Sequence, residues 1–168
     1  MIAGFVGELL LTAGVLVLLF VVYLLWGTGI QAAQAQDDLD AQLHERWGQL
    51  EEGEQTPELD ELDLGDAYGI LRIPRFGDDW EKFVVQGVED EDLKNGPGHY
   101  PKSADPGELG NFAIAAHRSG HGEPFAKFAD LHVGDLIEIQ VAAGTYVYKL
   151  DDAPDGDSNG NKINISDG

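Results

Sequence analysis

The sequence predicts a mainly β domain that follows an N-terminal membrane helix. From Tyr68 onward, short apolar segments rich in β-branched residues alternate with Gly and Pro, as strands alternate with turns. Closely spaced short strands favour an all-β sandwich or barrel over βαβ units. The first 30 residues instead carry a long uncharged apolar run, which is the pattern of a helix in lipid.

Five segments of the folded region have the length and composition of strands. They are GILRIP (69–74), FVVQGV (83–88), NFAIAAH (111–117), DLIEIQV (135–141) and TYVYKL (145–150). Only residues 89–96 and 123–131 have a locally helical pattern, and both are short. We expect most of the core to come from residues 70–73, 113–116 and 136–141.

The N-terminal run predicts a transmembrane anchor over residues 1–30. Residues 9–26 contain no charge, which is close to the roughly 20 residues that cross a bilayer as a helix. Tyr23 and Trp26 lie where interfacial aromatic residues are common. A cleaved signal peptide, with Ala33 and Ala35 at the cleavage site, and a buried core helix are the alternatives. Orientation cannot be predicted from positive charge, since no Lys or Arg precedes Arg46.

Residues 31–66 are predicted to form an acidic, partly helical stalk or linker between the anchor and the domain. Leu39, Leu43, Trp47 and Leu50 recur at helical spacing, which indicates an amphipathic helix. Two interpretations follow: a stalk that holds the domain off the membrane, and a helix that binds a specific partner. If the stalk interpretation is right, deleting residues 37–61 should leave the circular dichroism of the domain unchanged.

Composition excludes several classes of function. Ten Lys and Arg against 31 Asp and Glu give a formal net charge of -21, which repels phosphate backbones and argues against nucleic acid as a partner. The chain has no cysteine, and therefore no disulfide, no thiolate metal site and no cysteine nucleophile among its 168 residues.

His117 is the main candidate for chemistry. It ends the apolar run NFAIAA and precedes a glycine-rich segment, so a strand could orient the imidazole while solvent reaches it. A histidine in that position suits a general acid or base near pH 7.

Three segments resemble the sortase family, and most closely its class E members from high-GC Gram-positive bacteria. They are the anchor GELLLTAGVLVLLFVVYLLW, the segment YGILRIPRFG, and GPGHYPKSADPGELGNFAIAAHRSGHGEPFAKFADLHVGD. The sharpest parts of the likeness are GNFAIAAHR and the later pair Gly134 and Asp135.

The resemblance implies a membrane-anchored cysteine transpeptidase with an eight-stranded barrel on the extracellular face. Such enzymes cut a C-terminal Leu-x-x-Thr-Gly signal of secreted proteins, typically Leu-Ala-x-Thr-Gly in class E. They pass the acyl group to an amine of a peptidoglycan precursor or a pilin. His117 matches the catalytic histidine, and Tyr100 resembles a residue beside the peptide groove. The resemblance implies no cofactor and no metal.

The sequence also departs from the family pattern. In sortases a later strand carries Thr-Leu-x-Thr-Cys and a further strand carries an arginine, and neither follows Leu150 here. Arg75 and Arg118 are not at the matching position. We therefore expect an incomplete sortase-type barrel over residues 67–150, an acidic tail over 151–168, and no transpeptidase activity from this chain alone. Exposed strand edges should favour aggregation.

Two other catalytic interpretations remain open. His117, His121 and Glu123 have the spacing of a zinc site on a helix, although Gly120 and Gly122 disfavour that helix. A serine hydrolase would use Ser103 or Ser119 with a histidine, but neither serine lies in a Gly-x-Ser-x-Gly elbow.

Two further hypotheses do not require catalysis. The tail resembles half of a dockerin calcium loop, with Asp157, Asn159, Asn161 and Asp167 as candidate ligands, against the alternative of a disordered tail. The whole chain could also be a membrane-anchored extracellular β-domain that serves as an interaction or decoy module.

Overall fold

The computed structural model describes residues 2–51, 59, 62–151 and 165–166. Helix α1 covers Ile2–Val22, a π-helical turn covers Tyr23–Gly27, and α2 covers Thr28–Glu51. The three form one uninterrupted helical segment. Within the described residues, one helix is long and apolar enough to cross a membrane; its window is Gly4–Val22, with mean hydropathy 2.6 and nothing buried.

The described strands of the folded region form one mixed sheet. Its strands are β1 Ala67–Arg72, β2 Glu81–Gln86, β3 Gly98–His99, β4 Ile114–Ala115, β5 Leu136–Val141, β6 Gly144–Leu150 and β7 Ile165–Ser166. In space their order is β4-β3-β2-β1-β5-β6-β7. β2 and β3 are parallel, and every other neighbouring pair is antiparallel. The mainly β prediction is confirmed, and all five predicted strands are present, although β4 keeps only two residues.

The main core lies on one face of this sheet. Tyr68, Leu71 and Ile73 from the β1 region pack with Ile139 and Val141 of β5. This agrees with the expected core at 70–73 and with alternate residues of 136–141. The contribution from 113–116 is smaller than expected, because all four residues are only half-buried and Ile114 alone of the four packs against the main core. β4 lies at the edge of the described sheet and pairs with β3 alone there, so fewer residues cover it.

A second cluster joins α2 to the sheet. Leu39 and Leu43 are 3% and 1% exposed and pack with Ile70, Phe83 and Val85. For Thr28–Glu51 the structure therefore differs from a solvated stalk. The predicted amphipathic helix is confirmed, but its apolar side is covered by β1 and β2.

Polar contacts fix the same helix. The Gln36 amide nitrogen donates to the carbonyls of Phe83 and Asn95, each at 2.9 Å, and its oxygen accepts the Phe83 N–H at 2.9 Å. Further along α2, the Arg46 guanidinium donates to the Ala67 carbonyl at 2.6 Å. α2 is thus attached at two separate places.

The two segments predicted as helical contain short turns. Asp90–Leu93 forms α3, with a capping box between Glu89 and Asp92, and Phe128–Asp130 forms a 3-10 turn. Gly and Pro on either side explain why neither helix is longer.

Candidate functional site

His117 lies two residues after β4, at the edge of the described sheet. Its side chain is half-buried, so it is positioned by the fold and still reachable from solvent. The ring lies against that of His121, with centroids 4.7 Å apart and planes inclined by 35°. Its carbonyl accepts the Phe125 N–H at 3.0 Å, which closes the loop after the strand.

The electrostatic surroundings of His117 favour the neutral imidazole. Partial burial is the larger cause of its lowered pKa, and the nearby His121 adds to the effect. Asp90 opposes both. At pH 7 the ring is therefore mainly neutral and able to take up a proton.

Tyr100 lies at the other end of the same pair of strands. β3 and β4 are antiparallel with His99 opposite Ile114, and the Tyr100 N–H donates to the Ala113 carbonyl at 3.0 Å. His117 is four residues beyond Ala113, and four residues of fully extended chain span about 13 Å. The side chain of Tyr100 is 44% exposed. Tyr100 and His117 thus mark the two ends of the β3–β4 edge.

His99 belongs to a buried polar network that the sequence did not predict. Its Nδ1 donates to the Gln86 side-chain oxygen at 2.8 Å; that tautomer follows because the Gln86 nitrogen is directed at the Leu59 carbonyl. The Ser103 hydroxyl lies 3.0 Å from Nε2 and accepts the Ala113 N–H at 3.2 Å. The network therefore ties β2 and β3 to the segment that leads into β4.

Aromatic rings enclose the same histidine. The His99 ring stacks on Tyr68 at a centroid distance of 4.3 Å and on Phe112 at 5.3 Å. Burial lowers the pKa of His99, while the Ala104 backbone and Asp105 oppose the shift. The signal that could have found this role was GPGHYP itself, in which His99 lies between Gly and aromatic residues rather than in an apolar run.

The serine hydrolase interpretation is not supported by this geometry. Ser103 contacts His99 and not His117, and His99 is 1% exposed, which leaves no room for a substrate. In the described part of the chain, no hydrogen bond joins the Ser119 hydroxyl to an imidazole.

The zinc interpretation also lacks support. The rings of His117 and His121 are adjacent, but Glu123 turns back and accepts the Gly120 N–H at 3.2 Å. Among the described residues, no group of three or more His, Cys, Asp or Glu side chains could hold a metal ion. The calcium candidates Asp157, Asn159, Asn161 and Asp167 lie outside the described residues.

A cleft of about 340 Å³ separates α2 from the loop that follows His117. It is lined by Ala32, Ala33 and Gln36 on the helix, by Lys82, and by His121 and Pro124 on the loop. The candidate site thus borders the helix that continues from α1.

Comparison with known proteins gives a consistent assignment. The family model described as "Sortase domain" matches residues 71–163. Sortase SrtE1 from Streptomyces coelicolor is 32% identical over 152 residues, which is 86% of this chain and 41% of that protein. Sortase SrtE2 from the same organism is 36% identical over 152 residues, covering 85% and 59%.

A solved structure supports the same fold. Sortase E from Streptomyces avermitilis superposes with a TM-score of 0.52 at 38% identity, covering 55% of this chain and 61% of that one. The chain spans roughly half the length of the curated relatives described above.

Proposed function

Because this chain belongs to the sortase family, we propose that its folded domain binds a sorting signal and supplies the histidine of a membrane-anchored cysteine transpeptidase. The substrates would be secreted proteins with a C-terminal signal of the Leu-Ala-x-Thr-Gly or Leu-Pro-x-Thr-Gly type. The acceptor would be an amine of a peptidoglycan precursor or a pilin.

The observation that carries this proposal is the register of β3 and β4, which sets Tyr100 opposite Ala113 and hence four residues along the chain from His117. An extended peptide rises about 3.3 Å per residue, so the span of about 13 Å from Ala113, opposite Tyr100, to His117 would match four residues of substrate. That is the distance from the start of a five-residue signal to the bond between Thr and Gly. Tyr100 would contact the first residues while His117 meets the departing amine.

The role proposed for His117 follows from the two proton transfers that the reaction requires. When a thioester forms, the departing glycine amine needs a proton, and the protonated imidazole can donate it. When the acceptor amine attacks, the neutral imidazole takes a proton back. A lowered pKa makes the protonated ring a stronger acid and leaves the neutral ring as the main form at pH 7.

The proposal also has to account for the nucleophilic thiolate of a cysteine transpeptidase. These 168 residues include no cysteine, so we propose that they do not perform acyl transfer on their own. Arg75 does not substitute for the family arginine, because its Nε and Nη2 donate to Asp135 at 2.8 and 2.6 Å. The absence of cysteine is equally compatible with the alternative proposal, a non-catalytic membrane-anchored module.

Binding can be tested with the full chain in detergent micelles. A Leu-Ala-x-Thr-Gly peptide added to the ¹⁵N-labelled protein should shift the amide signals of residues near Tyr100 and His117 in a saturable manner. A peptide with the same composition in scrambled order is the control. Tyr100→Ala should weaken binding, whereas Val133→Ala, on an exposed residue away from β3 and β4, should not.

Two outcomes would contradict this proposal. Absence of saturable shifts would contradict the proposed function and favour the interaction module. Cleavage of a fluorogenic Leu-Ala-x-Thr-Gly peptide by the purified chain would contradict the proposed need for an external thiolate.

The proposed location is a single-pass membrane anchor with the domain on the extracellular face. α1 supplies an exposed apolar span, and membership of the family supports its use as an anchor. Protease added to intact bacterial cells that express the chain should digest the domain and leave α1 in the membrane. A domain that stays protected until the cells are lysed would overturn this orientation.

A further inference from the structure

We propose that His121 is a positioning residue for His117, held against it by a left-handed turn at residues 120–123 that α2 supports through Ala32. The inference rests on the catalytic role proposed for His117. It adds a second histidine and part of the membrane-proximal helix to the residues on which that role depends.

The turn has an unusual backbone. Gly120, His121, Gly122 and Glu123 have φ values of 68°, 49°, 74° and 48°, four consecutive residues in the left-handed region. Glycine adopts this region freely, but His121 and Glu123 carry a Cβ that makes it unfavourable. Such strain persists only where the surroundings enforce it, and it is concentrated at functional sites.

Hydrogen bonds within the loop help to hold residues 120–123 in this left-handed conformation. The Glu123 N–H donates to the Gly120 carbonyl at 2.9 Å, and the Gly120 N–H donates to the Glu123 carboxylate at 3.2 Å. The Phe125 N–H donates to the His117 carbonyl at 3.0 Å. The turn is thereby anchored to the residue whose side chain it faces.

α2 provides the remaining support. A Cβ placed on Gly122 would lie 3.2 Å from the Cβ of Ala32, so backbone and helix are already in close contact. Ala32 is 4% exposed, and α2 cannot easily withdraw, because Gln36 and Leu43 attach it to the sheet. The turn is therefore confined between a fixed helix and the end of β4.

Because the turn is confined, the ring of His121 is held against the ring of His117. His121 covers one side of the His117 imidazole at a centroid distance of 4.7 Å and restricts its rotation. The ionisable groups that act on His117 are His121 on the same loop and Asp90 on α3. Two protonated rings at this distance would repel each other, so the pair also favours a neutral His117.

The test measures the His117 ring directly in the full chain in micelles, by NMR of ¹⁵N-imidazole-labelled histidine. His121→Ala removes the covering ring and its electrostatic influence, so the pKa of His117 should rise and its ring signals should broaden as rotamers exchange. His121→Phe keeps a ring, so the orientation of His117 should persist while its pKa rises less. His132→Ala removes a histidine outside this loop and should change neither property.

A second pair of variants tests the role of α2. Ala32→Leu should push the turn and shift the ring signals of His117. Ala41→Leu, an exposed position on the same helix, should leave those signals in place. Amide dispersion of the β-strand signals verifies that each variant is folded.

The outcomes separate this inference from the proposed function. An unchanged pKa and ring spectrum of His117 in both His121 variants would overturn the positioning role, even if the sorting peptide binds. A His117 ring that responds to His121 in a chain that binds no sorting peptide would leave the positioning role intact and contradict the proposed function alone. Ring signals insensitive to Ala32→Leu would refute the contribution of α2.

Discussion

Arg75 and Asp135 form a bidentate ion pair between segments that are 60 residues apart. Nε of Arg75 donates to Oδ2 at 2.8 Å and Nη2 donates to Oδ1 at 2.6 Å, while the His132 N–H also donates to Oδ2 at 2.7 Å. Arg75 belongs to the 3-10 turn Pro74–Phe76 that follows β1, and Asp135 immediately precedes β5. The pair therefore fixes the entry into β5.

This pair predicts a component of acid sensitivity. Hydrogen bonds from Arg75 and from the His132 backbone lower the pKa of Asp135 to about 2. Because the folded-state pKa lies below the unfolded value of about 3.9, the stabilisation is complete above that value and is lost as pH falls towards 2.

The matched variant is Asp135→Asn. It should lower the midpoint of thermal unfolding at pH 7, and it should flatten the decline in stability between pH 4 and pH 2. Circular dichroism melts of both proteins in micelles measure the difference. Parallel pH profiles for the two proteins would contradict the role assigned to this carboxylate.

His99 predicts a second pH dependence, at higher pH. Burial lowers its pKa, so protonation is less favourable in the folded state than in the unfolded state. Its contribution to stability is therefore complete above about 6.5 and is lost as pH falls below that value.

His99→Phe should remove this component while keeping a ring between Tyr68 and Phe112. It leaves the Gln86 oxygen without its partner, and a buried unsatisfied group costs on the order of 1–3 kcal/mol. Ser103 keeps its bonds to the Tyr100 carbonyl and the Ala113 N–H. Urea unfolding at pH 7.5 and pH 5.5 measures both effects. The variant should be less stable at pH 7.5 and should lose less stability on acidification. An undiminished pH dependence would exclude His99 as its source.

The sequence could predict those features that depend on local pattern. Alternation and β-branched residues identified β1, β2, β5 and β6, and the end of the apolar run NFAIAA identified His117 as a candidate. The resemblance to sortases matched His117 to the catalytic histidine and added Tyr100. β3 has two residues, which is too short for a period of two to be visible. Contacts between distant segments, such as Gly122 with Ala32 or His99 with Gln86, left no periodic signal at all.

The same distinction explains why residues 31–51 differ from the predicted stalk, whereas residues 52–58, 60 and 61 lie outside the described residues. The spacing of Leu39 and Leu43 correctly indicated a helix with one apolar side. What covers that side depends on β1 and β2, which follow much later in the chain. High acidity suggested a solvated stalk, but the charges lie largely on the opposite side of α2.

α2 should therefore contribute to the stability of the domain. Leu43→Ala removes a side chain that is 1% exposed and should cost about 2–5 kcal/mol. Gln42→Ala, at an exposed position next to it, should stay within about 0.5 kcal/mol of the parent. Deleting residues 37–61 should reduce the ordered β signal in circular dichroism. A deletion variant that melts like the parent would restore the stalk interpretation.

The same substitution at two glycines should have opposite effects. Gly69 lies in β1, and a Cβ there would be 2.5 Å from the backbone oxygen of Gln140 and 3.0 Å from a methyl carbon of Val141. Since the Gln140 oxygen belongs to the adjacent strand β5, the strands must separate to admit a methyl group, and overpacking of this kind costs about 1–3 kcal/mol. Gly48 lies on the exposed side of α2, where a Cβ would have no described atom within 4 Å. Gly48→Ala should stabilise the helix by up to about 1 kcal/mol. The midpoint of denaturant unfolding should thus fall below the parent value in Gly69→Ala and rise above it in Gly48→Ala. Equal stability of Gly69→Ala and the parent would show that β1 and β5 are packed less closely than this.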